Sequence, residues 1–458
     1  MTTLSPAIAP APAPGALDAL PGFDPRMRGI VEKVRAGIRL SRADGLLLYE
    51  TPDLWTVCAL ADLVRRRMHG DVAFYNVNRH INYSNICALS CSFCAFYRKK
   101  DQDGAYEFSI EKIRDEAARA AAGGATEVHI VGGLHPWLPF EYYTDMMRAI
   151  REVAPKLHIK AFTAVEIVHL ARISKRGRDG YDGFKAVLAD LKEAGLGSLP
   201  GGGAEVFDDR VHDEAFKGKI RAGQWLEVHR AAHELGLNTN ATILYGHVES
   251  RAERIGHMML LREQQDATLR GWAMDQGIEV QRAADHAGEE GEAVVLYGED
   301  GAYPNDRLPT PERSRGNGYF QTIIPLPFFP DASALEHLPA PTGLENLRTL
   351  AIARLMLDNL PHVKAFWIMQ SLEMAQFMLL NGADDIDGTV VWYDITKLVS
   401  SGDGDPTHQE VGVFQLQKAI RDAGFEPVER DTLYRRITRG SGGPEDWRIG
   451  EAPRSSVT

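Results

Sequence analysis

Cys87, Cys91 and Cys94 fall within the run Asn85 to Tyr97, N-I-C-A-L-S-C-S-F-C-A-F-Y. Three thiols at CxxxCxxC spacing suit a soft metal centre, and in a four-iron cube three thiolates leave one iron without a protein ligand. That iron is open to a substrate or cofactor. The 458-residue chain has only four cysteines. The fourth, Cys58, recurs with Leu54, Val57, Ala61 and Val64 at helical spacing and reads as a small core hydrophobe. So few cysteines make no disulfide framework, which points to a reducing compartment. Structural zinc is the competing reading of the trio. It usually needs a fourth Cys or His at a second characteristic spacing, and the nearest downstream histidine, His129, lies inside an apolar strand-like run.

Other chemically capable residues follow short apolar runs. Val131-Gly132-Gly133-Leu134-His135-Pro136 carries paired glycines that admit a close ligand or make a plain tight turn. In Leu199-Pro200-Gly201-Gly202-Gly203-Ala204-Glu205, three glycines remove every side chain that would block a bound molecule, and Glu205 adds an acceptor or base. A flexible hinge is the alternative there. Thr163 to Glu166 and Tyr245-Gly246-His247-Val248-Glu249 complete the set. Arg98-Lys99-Lys100, next to the third cysteine, reads equally as a solvated loop or as a grip on an acidic substrate.

These clusters need elements to hold them. Helical pattern covers about 24 to 69, with an amphipathic stretch from Pro52 to Met68. Beyond it, strand-like runs at about 73–83, 127–131, 159–165, 198–207, 240–245, 320–326 and 363–369 alternate with helical stretches at about 110–122, 140–153, 184–194, 222–235, 252–266 and 344–360. That rhythm predicts an α/β fold, a TIM-like (β/α) barrel with N-terminal helices and a C-terminal extension. In such barrels chemistry sits on loops after the carboxyl ends of strands, where the cysteines and the four polar clusters fall. An open dinucleotide-binding sheet would need GxGxxG after its first strand, and that motif is absent.

Composition bounds the rest: 44% hydrophobic and 25% charged residues describe a globular chain with room for one large domain. A formal charge of -12 argues against a nucleic-acid or anionic-membrane partner. No apolar stretch is long enough to span a bilayer. Residues 1–22, Ala/Pro-rich and without a signal-peptide pattern, read as a disordered tail on a cytoplasmic protein, and 23–70 as a helical segment. The barrel is expected over 71–400, interrupted by a polar insertion at about 268–317, and 401–458 as a loosely packed extension.

With Phe93 immediately before the third cysteine and the loop following the first barrel strand, the motif resembles the radical S-adenosylmethionine superfamily. The resemblance implies that Cys87, Cys91 and Cys94 hold a [4Fe-4S] cluster whose free iron chelates S-adenosylmethionine, and that one electron then releases a 5'-deoxyadenosyl radical. It puts Phe93 near the adenine, Gly132 and Gly133 at the methionine amino group, and Glu166 at the ribose. Thr242-x-Leu244-x-Gly246-x-x-Glu249 partly matches the adenine motif, which makes Leu244 and Glu249 cofactor contacts. Leu134 stands where many members have Glu, and Thr242 where the first Gly is usual.

Within the superfamily, residues 72–266 and 318–395 resemble the aminodeoxyfutalosine synthases of menaquinone biosynthesis through HINYSNIC, VHIVGGLHP, LPFEYY, IKAFTAVEI, SLPGGGAE, NATILYGHVE, LRTLAIARLMLDN and GADDIDGTV. The insertion departs from that family's pattern. The implied reaction adds the deoxyadenosyl radical to 3-[(1-carboxyvinyl)oxy]benzoate, giving aminodeoxyfutalosine, methionine and bicarbonate. A flavodoxin or ferredoxin would be the electron donor. A substrate with two carboxylates calls for cations or N–H donors at the mouth; the candidates are His135, His247, Arg98 and the amides of Gly201, Gly202 and Gly203, with Glu205 as anchor or base. The alternatives are a dehypoxanthine futalosine cyclase, a deazaflavin-cofactor synthase, or a zinc or electron-transfer module without radical chemistry. IKAFTAVEI, LYGHVE and Ile324-Pro325-Leu326 favour the synthase over the cyclase.

Overall fold

Strand and helix alternate through the chain as the apolar rhythm requires. A computed structural model describes residues 22–275, 316–390 and 410–450. Seven parallel strands form the main sheet in sequential order: β2 (Asn78–Ile81), β3 (Glu127–Ile130), β4 (His158–Ala161), β5 (Ser198–Leu199), β6 (Asn238–Tyr245), β7 (Phe320–Pro327) and β8 (His362–Val363). Helices connect successive strands, including Ile110–Ala122, Phe140–Val153, Gly180–Ala194 and Ala222–Glu234. Sequential order with helical crossovers curls the sheet into a partial barrel, as expected.

The run expected as one strand from 73 to 83 is two. β1 (Val72–Asn76) pairs with β9 (Asp385–Gly388) and β10 (Glu426–Glu429), whereas β2 pairs with β3. The chain changes partners at Val77 because β9 fills the gap between β8 and β2. Lys364 bridges to Asp385, while Thr389 exchanges hydrogen bonds with Asn78. The segment expected to pack loosely after residue 400 therefore contributes β10, and the helix Val413–Asp422 before it buries Leu416 and Ile420.

Other boundaries shift for local reasons. The run at 159–165 ends as strand at Ala161, since Thr163 and Glu166 form a capping box that starts the helix Ala164–Ile173. The run at 198–207 keeps only Ser198 and Leu199 as strand, because the glycines that follow break the ladder. The run at 363–369 keeps Val363 as strand and turns into a short helix at Trp367. Cys58 lies buried in the helix Leu54–His69, as its spacing indicates. The expected tail, apart from Gly22, lies outside the described residues. So does the insertion, apart from the end of the helix Arg251–Asp275 and residues 316–317. Among the described residues no helix is long and apolar enough to cross a membrane.

Candidate active site

The cysteine loop leaves β2 at its carboxyl end and is fastened from both sides. Arg98 donates its backbone N–H to the Asn85 carbonyl at 2.8 Å, and the Cys87 N–H donates to the Arg98 carbonyl at 3.0 Å. The Lys99 ammonium donates to the carbonyls of Cys87, Ala88 and Leu89 at 2.9, 3.2 and 3.0 Å. The Leu89 and Leu134 amides donate to Cys87 Sγ at 3.4 Å each. Such donors stabilise a thiolate and bias the loop toward metal binding. Burial pushes the Cys91 thiol up to about 11, with the Lys219 ammonium opposing. Burial also raises Cys94, against the amides of Tyr97 and Phe96.

Lys219 is a second cation beside the cysteine loop. Its ammonium contacts the Glu205 carboxylate and lies 5.1 Å from the centroid of the Phe93 ring. Burial works against its charge, but Glu205 and the thiols of Cys91 and Cys94 outweigh it and hold its pKa above the ordinary lysine value. Glu205 is buried with φ +44°, a left-handed conformation that a glutamate keeps only when its surroundings fix it.

A cavity of about 310 Å³ opens beneath the loop. Phe93, Cys94, Gly132, Glu166, Leu244, Glu205 and Gly201 to Gly203 all line it, so most of the residues singled out from the sequence converge on one space. The glycines are required by close approach. A Cβ on Gly132 would stand 2.5 Å from Tyr83 Cζ, and one on Gly201 would stand 2.6 Å from the Ala241 carbonyl carbon.

Five expected contacts turn out differently. Glu166 lines the cavity, but its carboxylate already accepts from Gly132 N and Tyr83 Oη at 3.0 Å each, and from Thr163 N and Oγ1 at 2.7 and 2.9 Å. These contacts make it the fastener of the Gly132 turn and engage both carboxylate oxygens within the protein. Glu249 is fully buried, accepting from the amides of Gly246 and His247 at 2.6 and 2.9 Å and from Arg254 at 2.7 Å. It shapes the turn after β6 and does not line the cavity. His247 is buried beside it, with Nε2 donating to the Leu244 carbonyl at 3.0 Å. Burial lowers its pKa, which removes it as a cation for substrate. His135 faces away from the cavity: Nδ1 accepts from Trp137 N and Leu138 N at 3.3 and 3.2 Å, and Nε2 lies 2.8 Å from Glu107. Arg98 is not among the cavity's lining residues, and its Nη1 donates to the carbonyls of Ala95 and Tyr97 at 2.9 and 2.8 Å, bracing the cysteine loop.

Sequence reasoning missed Lys219, Lys160 and Lys364, and named Lys99 only within the basic run 98–100. Lys219, Lys160 and Lys364 all line the cavity. Lys160 had a signal: a cation between Ile159 and Ala161 in a parallel strand covered on both faces needs a buried partner. Lys219 lies on a loop after the Asp209–Ala215 helix and had none.

A three-cysteine loop over the mouth of a parallel α/β barrel defines a class of cluster-dependent radical enzyme, and comparison with known proteins agrees. Residues 81–261 match the Radical SAM superfamily, and residues 317–440 match the CofH/MqnC C-terminal region. An aminodeoxyfutalosine synthase of Thermus thermophilus is 39% identical over 418 residues, covering 90% of this chain and 96% of that enzyme. A 5-amino-6-(D-ribitylamino)uracil–L-tyrosine 4-hydroxyphenyl transferase of Methanosphaerula palustris is 32% identical over 421 residues, covering 89% of this chain and 97% of that one. The crystal structure of methylornithine synthase, 17% identical, superposes with a TM-score of 0.56 over 86% of this chain and 96% of its own, a likeness of fold. The chain belongs to the radical S-adenosylmethionine superfamily and, within it, to the enzyme family that includes these synthases and transferases. Its cofactors are those of the superfamily, a [4Fe-4S] cluster and S-adenosylmethionine. The donor set fits the cluster: three thiols share one loop, and burial pushes the remaining cysteine, Cys58, up to about 12 in a separate helix.

Proposed function

We propose that this enzyme joins the 5'-deoxyadenosyl group of S-adenosylmethionine to 3-[(1-carboxyvinyl)oxy]benzoate, forming 6-amino-6-deoxyfutalosine with release of methionine and bicarbonate, a step of menaquinone biosynthesis. The observation that carries this reading is the 39% identity to an aminodeoxyfutalosine synthase across 96% of its length. The cluster, when bound, supplies the electron that splits the sulfonium of S-adenosylmethionine. The protein's own contributions are placement and exclusion of water. Cys87, Cys91 and Cys94 hold the cluster, and Lys99 and Arg98 keep their loop closed over the cavity. Phe93 and Leu244 offer apolar surface to the adenosyl group. The Gly201 to Gly203 turn leaves room for the substrate beside Glu205 and Lys219. An acidic one-electron carrier of the flavodoxin or ferredoxin type is the proposed reductant, and the reducing cytoplasm the proposed location.

The 32% relative supports a second reading, transfer of a 4-hydroxyphenyl group from tyrosine to a ribitylaminouracil. One anaerobic assay separates the two. The purified protein is expected to be brown, with about four irons per chain. Given the enol ether, S-adenosylmethionine and a reductant, it is expected to yield a product that retains adenine, detected by mass spectrometry. Free 5'-deoxyadenosine appearing only with tyrosine and the uracil would favour the transferase reading. A colourless, zinc-containing protein would overturn both.

A further inference from the structure

The interior of a closed α/β barrel is ordinarily packed with layers of Val, Ile and Leu. Here one interior layer is polar. His80, His129 and Lys160 sit side by side across β2, β3 and β4, each the register partner of the next. Lys364 lies just past β8, and Asp387 in β9 beside it. Lys160, Lys364, Asp387 and His129 line the same cavity as Cys94 and Phe93. The strands run parallel and the cysteine loop follows the carboxyl end of β2, so these residues form the cavity's floor, deeper in the barrel than the loop.

The floor is incompletely satisfied. Lys160 Nζ lies 2.5 Å from Glu127 Oε1, and Lys364 Nζ lies 2.6 Å from Asp387 Oδ1. All four side chains are at most 4% exposed. Each ammonium carries three N–H donors; Lys364 spends one on Asp387 and Lys160 is ion-paired with Glu127, so two on each lysine are left for whatever fills the cavity. His129 Nε2 has no hydrogen-bond partner among the described residues. Burial, with the neighbouring His80 and Lys160, lowers the His129 pKa and keeps the ring neutral. Burial lowers the Lys160 pKa against the pull of Glu127, and Asp387 pairs with Lys364, so the floor offers directed N–H donors rather than excess positive charge. That suits one planar anion able to accept from both lysines at once.

We propose that Lys160 and Lys364 receive the ring carboxylate of the aromatic substrate and so determine its specificity and its depth in the barrel. The inference rests on the function proposed above. In that reaction the vinyl carbon has to meet the 5' carbon beneath the cysteine loop. The enol carboxylate, attached next to that carbon, stays at the mouth. The ring carboxylate, meta to the ether oxygen, points down the lumen to the floor.

The test pairs a change in the ligand with a change in the protein. The wild-type holoenzyme is assayed with the enol ether and with its analogue carrying a carboxamide in place of the ring carboxylate. Lost charge-assisted hydrogen bonds are expected to lower kcat/KM for the analogue by about 10- to 100-fold, mostly through KM. The charge-neutral double variant Lys364→Met/Asp387→Asn is expected to process both compounds with nearly equal kcat/KM. Iron content and thermal melting confirm that it is intact, and Lys160→Met/Glu127→Gln serves as the second variant. Wild-type turnover of the analogue as efficient as that of the diacid would overturn the assignment without recourse to any variant. Intact variants that keep the full discrimination would do the same. Failure of the wild type to make any adenine-containing product from the enol ether would overturn the underlying reaction as well.

Discussion

Glu166 shows how one buried carboxylate ties two strand ends together. Desolvation raises its pKa from 4.5 to about 7, and the hydrogen bonds from Thr163, Tyr83 and Gly132 only partly oppose the rise. Between pH 4.5 and about 7 the folded protein holds a proton that the unfolded chain has released. Stability therefore falls as pH rises through that window and levels off above it. The full shift is worth on the order of 3 kcal/mol. Glu166→Gln, which cannot ionise, is expected to lack this component, so the gap between variant and wild-type melting temperatures should change between pH 5 and pH 7.5. Parallel pH profiles for the two proteins would refute the assignment. Lys219 and Glu205 illustrate another residue-scale point: a lysine with no sequence pattern around it becomes a cation beside the cysteine loop because a short helix carries it there.

Among the elements, the cysteine loop depends on Lys99, whose ammonium gathers three consecutive carbonyls. Without it the loop keeps its cysteines and loses part of its closure. Lys99→Met is expected to speed iron loss to a chelator by roughly 3- to 10-fold while the melting temperature changes little, since charge-assisted hydrogen bonds on a partly exposed loop are worth about 1 to 2 kcal/mol in local stability. Unchanged release kinetics would assign Lys99 to the surface alone. The loops after β3 and β5 are governed by the opposite device, the absence of side chains. Gly132 passes against Tyr83 and Gly201 against the β6 backbone too closely for any Cβ, so these turns keep the cavity wall thin.

At the scale of the whole molecule, closure of the barrel depends on residues far apart in sequence. β9 spans the gap between β8 and β2, and β10 covers the outer edge of β1. The helix before β10 buries Leu416 and Ile420, and Phe425 is buried beside it. At about 2 kcal/mol for each buried apolar side chain, these three and Val428 contribute about 8 kcal/mol, comparable with the entire stability of many domains. A chain ending at residue 409 is therefore expected to lose cooperative thermal unfolding and its near-ultraviolet circular dichroism. A truncated protein that melts sharply at the wild-type temperature would show that this segment is dispensable.

The sequence by itself determined what depends on spacing along the chain. CxxxCxxC singled out the cysteine loop, the alternation of strand and helix predicted the barrel, and the glycine runs marked the walls of the cavity. Helical periodicity placed Cys58 on the buried face of a helix, where the structure has it. Only the tertiary structure decided which polar side chains face the cavity. His135, His247 and Glu249 lie near strand ends in sequence, yet each is engaged in hydrogen bonds with its own loop, because a local backbone partner is within reach as soon as the turn forms. Lys160 and Lys364 are 204 positions apart in the chain. What brings them to one floor is the curl of the sheet, and neither hydrophobic periodicity nor a local motif records that curl. The cysteines were legible because a metal site built on one loop is local, whereas the floor beneath it is assembled from strands that meet only when the barrel forms.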